Sequence, residues 1–177
     1  MSITKLNNLS ISAVTALPSG VGGKVLQVVS ASKTDRQTTT STNTFTDISG
    51  LSVSITPSSA SNKILILFTV NTASSINSHS GIKLLRNSTD IFVGDANGDN
   101  FRIFSSWRTM TDTQYHAQPL AGMFLDSPST TSATTYKIQI SGDTTVYVNR
   151  SNTFDSTVAS VQRTIGSSSI TVMEIGA

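Results

Sequence analysis

The sequence contains no cysteine, which excludes disulfide bonds, thiolate nucleophiles and zinc sites built on thiolates. Charge is also scarce, because Lys, Arg, Asp and Glu together make up 12% of the 177 residues. The 12 basic residues form no cluster and are nearly balanced by 10 acidic residues, so the electrostatic basis for binding nucleic acid is missing. We therefore expect no nucleic-acid partner and a fold that is stabilised by packing or by subunit association.

Long apolar runs and a signal peptide are absent as well. No segment reaches the length of about 20 apolar residues that a membrane-spanning helix needs. The start of the chain, MSITKLNNLSISAVTALPSG, lacks both the basic region and the continuous apolar centre of a secretory signal. We expect synthesis in the cytoplasm and no membrane insertion.

Ser and Thr are abundant, and together they make up about a third of the chain, far above average usage. Hydroxyl side chains that alternate with Val and Ile are typical of solvent-facing β-strands. A chain of this length fits one domain with a hydrophobic core of its own. The composition therefore favours a single all-β domain.

A series of short segments carries strand patterns, and none carries a convincing helical pattern. The segment KILILFTVNT is apolar on both faces and rich in β-branched residues, which predicts a strand buried on both sides. Turns are predicted at Ser49–Gly50 and Pro57, and Asn87–Ser88 is predicted to close a hairpin. Short strands at this spacing are typical of an antiparallel β-sandwich or jelly roll. The predicted strands are residues 24–32, 44–48, 51–57, 63–72, 81–87, 89–94, 101–109, 118–126, 134–142, 144–150 and 168–176.

The first 23 residues differ from the rest of the chain. Their apolar residues fall mainly at intervals of three, which suits neither a long amphipathic helix nor an alternating strand. A break rich in Pro and Gly closes the segment. We predict an extended arm, residues 1–23, for particle attachment or oligomerisation, and a head domain, residues 24–177; a frayed terminus is the alternative for the arm. The apolar residues of the arm are Ile3, Leu6, Leu9, Ile11, Val14 and Leu17.

Catalytic motifs are not found. The two histidines, His79 and His116, lie in polar stretches that are predicted to be loops, and no serine stands in a G-x-S-x-G motif. We therefore expect a protein that is not an enzyme and that uses no cofactor.

The segment GDANGDN (94–100) is the best metal-binding candidate. Asp95, Asn97 and Asp99 alternate as they do in the first half of a calcium-binding EF-hand loop. The match fails at Asn100, where that loop requires Gly, and at Ser106, where it requires Glu. An Asx-rich turn between two strands is the favoured interpretation, and no metal site is favoured.

A polar connection that contains ring residues, SSWRTMTDTQYHAQP, is the best candidate for a binding surface. The side chains of Trp107, Arg108, Tyr115 and His116 can stack on sugar rings and hydrogen-bond to hydroxyl groups. The alternative for Trp107 is a place in the core, packed beside phenylalanines of its own strand.

Several strand and turn segments have recognisable amino-acid sequences: GKVLQVVSASKTD (23–35), FTDISGLSVSITPSSASNKILILFTV (45–70), GIKLLRNSTDIFVGD (81–95), FLDSPSTTSATTYKIQI (124–140), VYVNRS (146–151) and SSITVMEIGA (168–177). They resemble virion structural proteins of tailed phages, especially marine and cyanobacterial phages, which are described as tail-fibre-like. The resemblance covers nearly everything after residue 22 and includes no catalytic motif. It implies a virion protein that is made in the host cytoplasm.

The order of the segments also resembles the jelly-roll heads of tumour-necrosis-factor-like and complement-type proteins. The similar features are an extended strand leading into ITPSS, a long buried strand, the hairpin around LLRNSTDI and a short apolar strand at the C-terminus. This resemblance implies a homotrimer whose buried strands meet around a threefold axis. Three associated arms would bury the apolar residues that one arm leaves exposed.

These features together predict a homotrimeric fibre or fibre-tip protein of the virion. Its arm is expected to bind other tail or capsid proteins, and its loops are expected to contact a glycan or protein on the host surface. A capsid decoration or cement protein that stabilises the shell is the first alternative. A monomeric carbohydrate-binding module is the second alternative, and the apolar arm speaks against it.

Overall fold

The computed structural model describes residues 24–111, 115–153, 157 and 165–177. These residues form eleven β-strands and no α-helix, and none of them belongs to a helix that is long and apolar enough to span a membrane. The all-β prediction is therefore confirmed. The strands are β1 (Val25–Lys33), β2 (Gln37–Thr39), β3 (Thr46–Ile55), β4 (Lys63–Ser74), β5 (His79–Arg86), β6 (Thr89–Ile91), β7 (Ser105–Arg108), β8 (Gln118–Asp126), β9 (Thr134–Gly142), β10 (Val146–Val148) and β11 (Ser168–Ile175).

The strands are arranged in two antiparallel sheets. Sheet A contains β1, β11, β4 and β8 in that order. Beyond the end of β11, β4 pairs with β10, and β10 pairs in turn with β2. Sheet B contains β3, β9 and β5, and the free side of β5 pairs with β6 along one part and with β7 along another.

The pairing of the main strands is nested. The first main strand, β1, pairs with the last, β11; β3 pairs with β9, β4 with β8, and β5 with the broken strand formed by β6 and β7. This order results when one long antiparallel hairpin wraps around a core, and it is the topology of a jelly roll. The predicted β-sandwich of jelly-roll type is confirmed.

The core lies between the two sheets. Because side chains alternate along a strand, every second residue of β4 points inwards, and the same holds for β9 and β11. The buried residues are mostly β-branched, as expected for strands that pack face to face. The inward-facing residues of these three strands include Ile64, Ile66, Phe68, Val70, Tyr136, Ile138, Ile140, Ile170 and Val172.

One predicted turn is wrong. Residues 46–55 form the single strand β3, and no turn interrupts it at Ser49–Gly50. The pairing of β3 with β9 shifts register between Asp47 and Ser52, and Gly50 has a φ of +82°. A bulge accommodates extra residues without ending the strand, and glycine adopts the positive φ at little cost.

Other strand boundaries agree with the sequence prediction to different degrees. The hairpin of β5 and β6 is confirmed, with Arg86 paired to Thr89 and Asn87 at a φ of +55°. Strand β7 covers only four of the nine predicted residues, since residues 101–104 and Thr109 do not belong to a strand. Strand β2, with the sequence QTT, was not predicted, because three polar residues show no apolar alternation.

Candidate functional site

Strand β4 lies in the middle of sheet A, and the other sheet covers only one of its faces. Ile64 and Ile66 point into the core, whereas Leu65 and Leu67 point to the outer side of the sheet and are half-buried. The prediction that this strand is buried on both sides is therefore wrong for a single chain. No further layer of the residues described here covers the outer side.

The neighbouring strands continue this apolar surface. Leu125 of β8, Leu65 of β4, Met173 of β11 and Val28 of β1 are successive register partners across four strands. Side chains opposite one another on adjacent strands lie about 5 Å apart and contact each other. The four residues therefore form a continuous apolar row across the outer side of sheet A.

A second row lies beside the first. Met123 of β8 pairs with Leu67 of β4, and Thr171 and Ser30 continue the row with hydroxyl groups. The two rows form one uninterrupted surface. We call it the outer apolar face, and it consists of Val28, Leu65, Leu67, Met123, Leu125 and Met173.

The outer apolar face is exposed and carries no charge. Met123 is 64% exposed, Val28 is 54% exposed and Leu125 is 47% exposed. The nearest charged residue on the same side of β4 is Lys63, at the first position of the strand. Two rows of side chains about 6.6 Å apart, on four strands spaced about 4.8 Å apart, cover roughly 250 Å². Contiguous apolar patches of a few hundred Å² on a soluble protein are often functional.

The outer side of sheet B is charged instead. The Lys137 ammonium lies 2.8 Å from the Asp47 carboxylate, which also accepts a hydrogen bond of 2.7 Å from the Gln139 amide. The hydrogen bond from Lys137 is the main cause that holds the pKa of Asp47 below its ordinary value. Lys83 and Asp90 form a further ion pair of 2.6 Å. Such a surface is suited to water, so the contrast singles out the outer apolar face as the candidate functional site.

A buried carboxylate lies on the inner side of sheet A. Glu174 is the only glutamate of the chain, and its side chain is fully buried. It accepts hydrogen bonds from the backbone N–H (2.7 Å) and the hydroxyl (2.8 Å) of Ser58, and from the side-chain amides of Asn62 and Gln27. Removal from water opposes ionisation, but these donors lower the pKa of Glu174 to about 2. The hydrogen bonds of this carboxylate therefore hold the connection between β3 and β4 against β11.

A second buried cluster joins strands of both sheets. One guanidinium nitrogen of Arg86 lies 2.9 and 3.0 Å from the two carboxylate oxygens of Asp126, and the Tyr136 hydroxyl donates a 2.7 Å hydrogen bond to the same carboxylate. Burial, reinforced by the Asp126 carboxylate, raises the pKa of Tyr136. The three groups satisfy one another, so the cluster is a structural contact between β5, β8 and β9.

The predicted binding residues differ in their exposure. Trp107 is 8% exposed and belongs to the core, so its ring offers no surface to a ligand and is withdrawn from the predicted binding surface. Arg108, the next residue of β7, is exposed and pairs in register with His79. Tyr115 is half-buried and His116 is exposed in the connection that leads into β8.

The predicted calcium candidates lie in the exposed connection between β6 and β7. The backbone carbonyl of Asn97 accepts hydrogen bonds of 3.3 and 2.8 Å from the backbone and the side chain of Asn100. Gly98 has a φ of +56°, so the segment around Asp95, Asn97 and Asp99 is a tight turn. In the described part of the chain, no three carboxylate, imidazole or thiolate groups come together as metal ligands.

The predicted arm lies outside the described residues, together with Ile3, Leu6, Leu9, Ile11, Val14 and Leu17. The described chain begins at Lys24, whose carbonyl accepts a 2.8 Å hydrogen bond from the backbone of Gly176. Val25 and Leu26 follow, and both are about half exposed. The chain therefore enters sheet A beside the outer apolar face.

Sequence reasoning missed the outer apolar face as a site. The segment KILILFTV was assigned to a core, and QPLAGMFLD was assigned to an ordinary strand. The available signal was that both segments carry large apolar residues at consecutive positions, in a domain too small for a third layer.

Comparison with known proteins adds little. No protein-family model matches the chain, and no curated protein matches it. Among solved structures, a chain in the structure of infectious bursal disease virus, Gx strain, is similar with a TM-score of 0.40 and 11% identity. The match covers 84% of this chain and 41% of the viral chain, so this chain spans less than half of that length. Neither the fold described above nor the function proposed below rests on this match.

Proposed function

We propose that this protein is a non-enzymatic structural subunit of a phage virion, and that it associates with copies of itself through the outer apolar face. The observation that carries the self-association is the apolar row from Leu125 to Val28, which is open to solvent in the single chain. Leaving apolar surface in water costs about 25 cal/mol for each Å². Association of subunits removes this cost.

A second copy of the chain is the occupant that suits this face best. The face has no charged group with which to select a charged partner, and two copies bring uncharged surfaces together without repulsion. Its roughly 250 Å² falls well short of the roughly 800 Å² that each partner contributes to a standard interface. The apolar residues of segment 1–23, which precede β1 directly, would supply further area.

We propose a threefold arrangement of these copies, in a fibre or fibre tip. Its support is the nested jelly-roll topology, which agrees with the resemblance to trimeric jelly-roll heads. In this arrangement, the three outer apolar faces point to the axis and the charged outer sides of sheet B point to water. The arm binds other virion proteins, and the loops contact the host surface.

A capsid decoration protein is the second proposed role. The observation that favours it is the uncharged character of the outer apolar face, which would also suit attachment to a shell. The copy number on each particle and the adsorption of purified protein to host cells separate the two roles. A monomeric carbohydrate-binding module is disfavoured, because it would leave the outer apolar face exposed.

Native mass of the purified full-length protein tests the proposal. Light scattering after gel filtration is expected to give about three times the chain mass of 18.7 kDa. A monomer at all accessible concentrations contradicts self-association through the outer apolar face. A dimer keeps self-association and contradicts the threefold arrangement.

A further inference from the structure

A cavity of about 150 Å³ lies on the outer side of sheet B, away from the outer apolar face. Its floor is formed by Gly81 of β5 and Ser141 of β9, which are register partners. Its walls are formed by Phe45, Phe101 and Ile103. A methyl group at position 81 would lie 2.9 Å from the end of the Ile103 side chain, so glycine lets Ile103 pack close to the floor of the cavity.

The walls are aromatic and partly open to solvent. Phe101 is 57% exposed, and its ring meets the ring of Phe45 edge to face with centroids 5.8 Å apart. The Lys83 ammonium also contacts Phe45 and lies 4.5 Å from the ring centroid. The aromatic wall therefore has a fixed half, Phe45, and an exposed half, Phe101.

The polar groups around the cavity have hydrogen-bond donors or acceptors that can take further partners. Ser141 is buried to more than nine-tenths, and its hydroxyl has no hydrogen-bond partner among the described residues. At the rim, the Asp143 carboxylate accepts a 3.0 Å hydrogen bond from the backbone of His79, and its other oxygen lies 3.3 Å from the His79 ring. Both rim side chains are exposed and can bind further groups.

We propose that this cavity binds an acetamido sugar of a surface glycan. The methyl of the acetamido group occupies the apolar interior between Phe101 and Ile103, and its amide meets the hydroxyl of Ser141. The ring hydroxyls bind Asp143 and His79 at the rim, where carboxylate and imidazole atoms accept and donate hydrogen bonds. A small apolar interior with a polar rim fits a molecule that carries a methyl group on a polar ring.

This inference rests on the proposed function, in which the protein contacts the host surface. A sugar of about 15 heavy atoms is expected to bind one subunit with a dissociation constant of about a millimolar. Binding of this strength becomes useful when several subunits engage one surface together. The cavity lies on sheet B, so it stays open when subunits associate through sheet A.

Ligand-observed NMR titration of the full chain with N-acetylglucosamine and N-acetylgalactosamine tests the proposal, and glucose and galactose serve as controls. We expect saturable binding of at least one acetamido sugar, at least about tenfold tighter than the matching sugar without the acetamido group. The variant F101A should weaken this binding at least about tenfold, whereas I76A, which removes a partly exposed apolar side chain elsewhere, should leave it unchanged. Equal affinity for the two kinds of sugar, or no binding up to about 20 mM, overturns the proposal.

Two further variants test sugar binding by substitutions outside the core, so that a loss of binding is not caused by unfolding. D143N removes the rim charge and should weaken binding. S106Y places a ring at the cavity entrance without altering the core and should abolish binding. Native mass is measured for each variant. If the parent protein forms the oligomer but binds no acetamido sugar, the cavity inference alone is overturned. If the parent protein is a monomer that binds the sugar, the proposed assembly alone is overturned.

Discussion

Leu65 of β4 lies directly opposite Met173 of β11, and both side chains point away from the core of the sandwich. The residues on either side of each, Ile64 and Ile66 and likewise Val172 and Glu174, are fully buried. At these positions the two central strands of sheet A thus carry large apolar side chains on the outer face as well as buried residues on the inner face, but the described chain supplies a covering layer for the inner face alone.

The variant M123K should convert the assembled protein to a monomer. Met123 is the most exposed large apolar residue of the outer apolar face, and a lysine there would have to lose its hydration in any interface with a second copy. Native mass by light scattering measures the outcome. The melting temperature of the isolated subunit should hardly change, since the side chain contributes nothing to the core.

The matched control for M123K is S52K, on the charged outer side of sheet B. Ser52 is exposed on β3, and a lysine there stays in water whether or not the subunits associate. S52K should keep the native mass of the parent protein. An unchanged mass for M123K would contradict the role assigned to the outer apolar face.

The variant E174Q should lower the free energy of unfolding by about 2 kcal/mol. The amide group of glutamine replaces one acceptor oxygen with a donor, which then faces the donors of Gln27, Asn62 and Ser58. Urea denaturation at pH 7 measures the change. The control S54A removes a hydroxyl from the exposed face of β3, where it bonds only to the Thr135 hydroxyl, and should have a much smaller effect.

The same carboxylate predicts a pH dependence. The pKa of Glu174 is about 2 in the folded chain and has an ordinary value of 4.5. Because folding favours the ionised form, its stabilisation is complete above pH 4.5 and is lost as the pH falls towards 2. The stability difference between the parent protein and E174Q should therefore shrink between pH 5 and pH 2. A difference that stays constant over this range would contradict the assignment.

The variant Y136F should cost about 1 to 2 kcal/mol of stability. It removes the hydrogen bond to Asp126 but keeps the ring and leaves the bond from Arg86 in place. D126A should cost more, about 3 to 5 kcal/mol, because it leaves the Arg86 guanidinium without its buried partner. Denaturant titrations of both variants check this order, and the reverse order would argue against a shared cluster.

The variant G122A should destabilise the fold by about 1 to 3 kcal/mol. A methyl group at this position of β8 would overlap the ring of Phe68 and crowd that of Phe104, and both rings pack against the core. G94A is the matched control, since nothing lies within 4 Å of a methyl group there. Thermal melting of the two variants should separate them, and equal melting temperatures would show that the rings relax.

Much of the fold could be predicted from the sequence, because strand patterns are local. The hairpin that turns at Asn87 was predicted from a turn residue that tolerates positive φ, and the bounds of β8 and β9 follow from alternation and flanking turn residues. The bulge at Gly50 was not predicted. A glycine in a strand pattern signals a turn and a bulge equally, and only the pairing with β9 decides between them.

The candidate sites were less predictable from the sequence than the fold, because tertiary structure decides which residues come together. The place of Trp107 in the core rather than on the surface is set by the register in which β7 pairs with β5. The cavity beside Phe101 brings together residues from four separate parts of the chain, and no local pattern links them.

The sequence by itself determined that this chain is all-β, because composition and alternation act residue by residue on the choice of backbone conformation. It also determined that β4 is apolar on both faces. Only the tertiary structure decided which face the chain covers for itself. The nested pairing places β3 and β9 over one side of sheet A, and a two-layer sandwich has no third layer for the other side. The apolar surface that remains is a consequence of topology, which alternation along one strand does not contain.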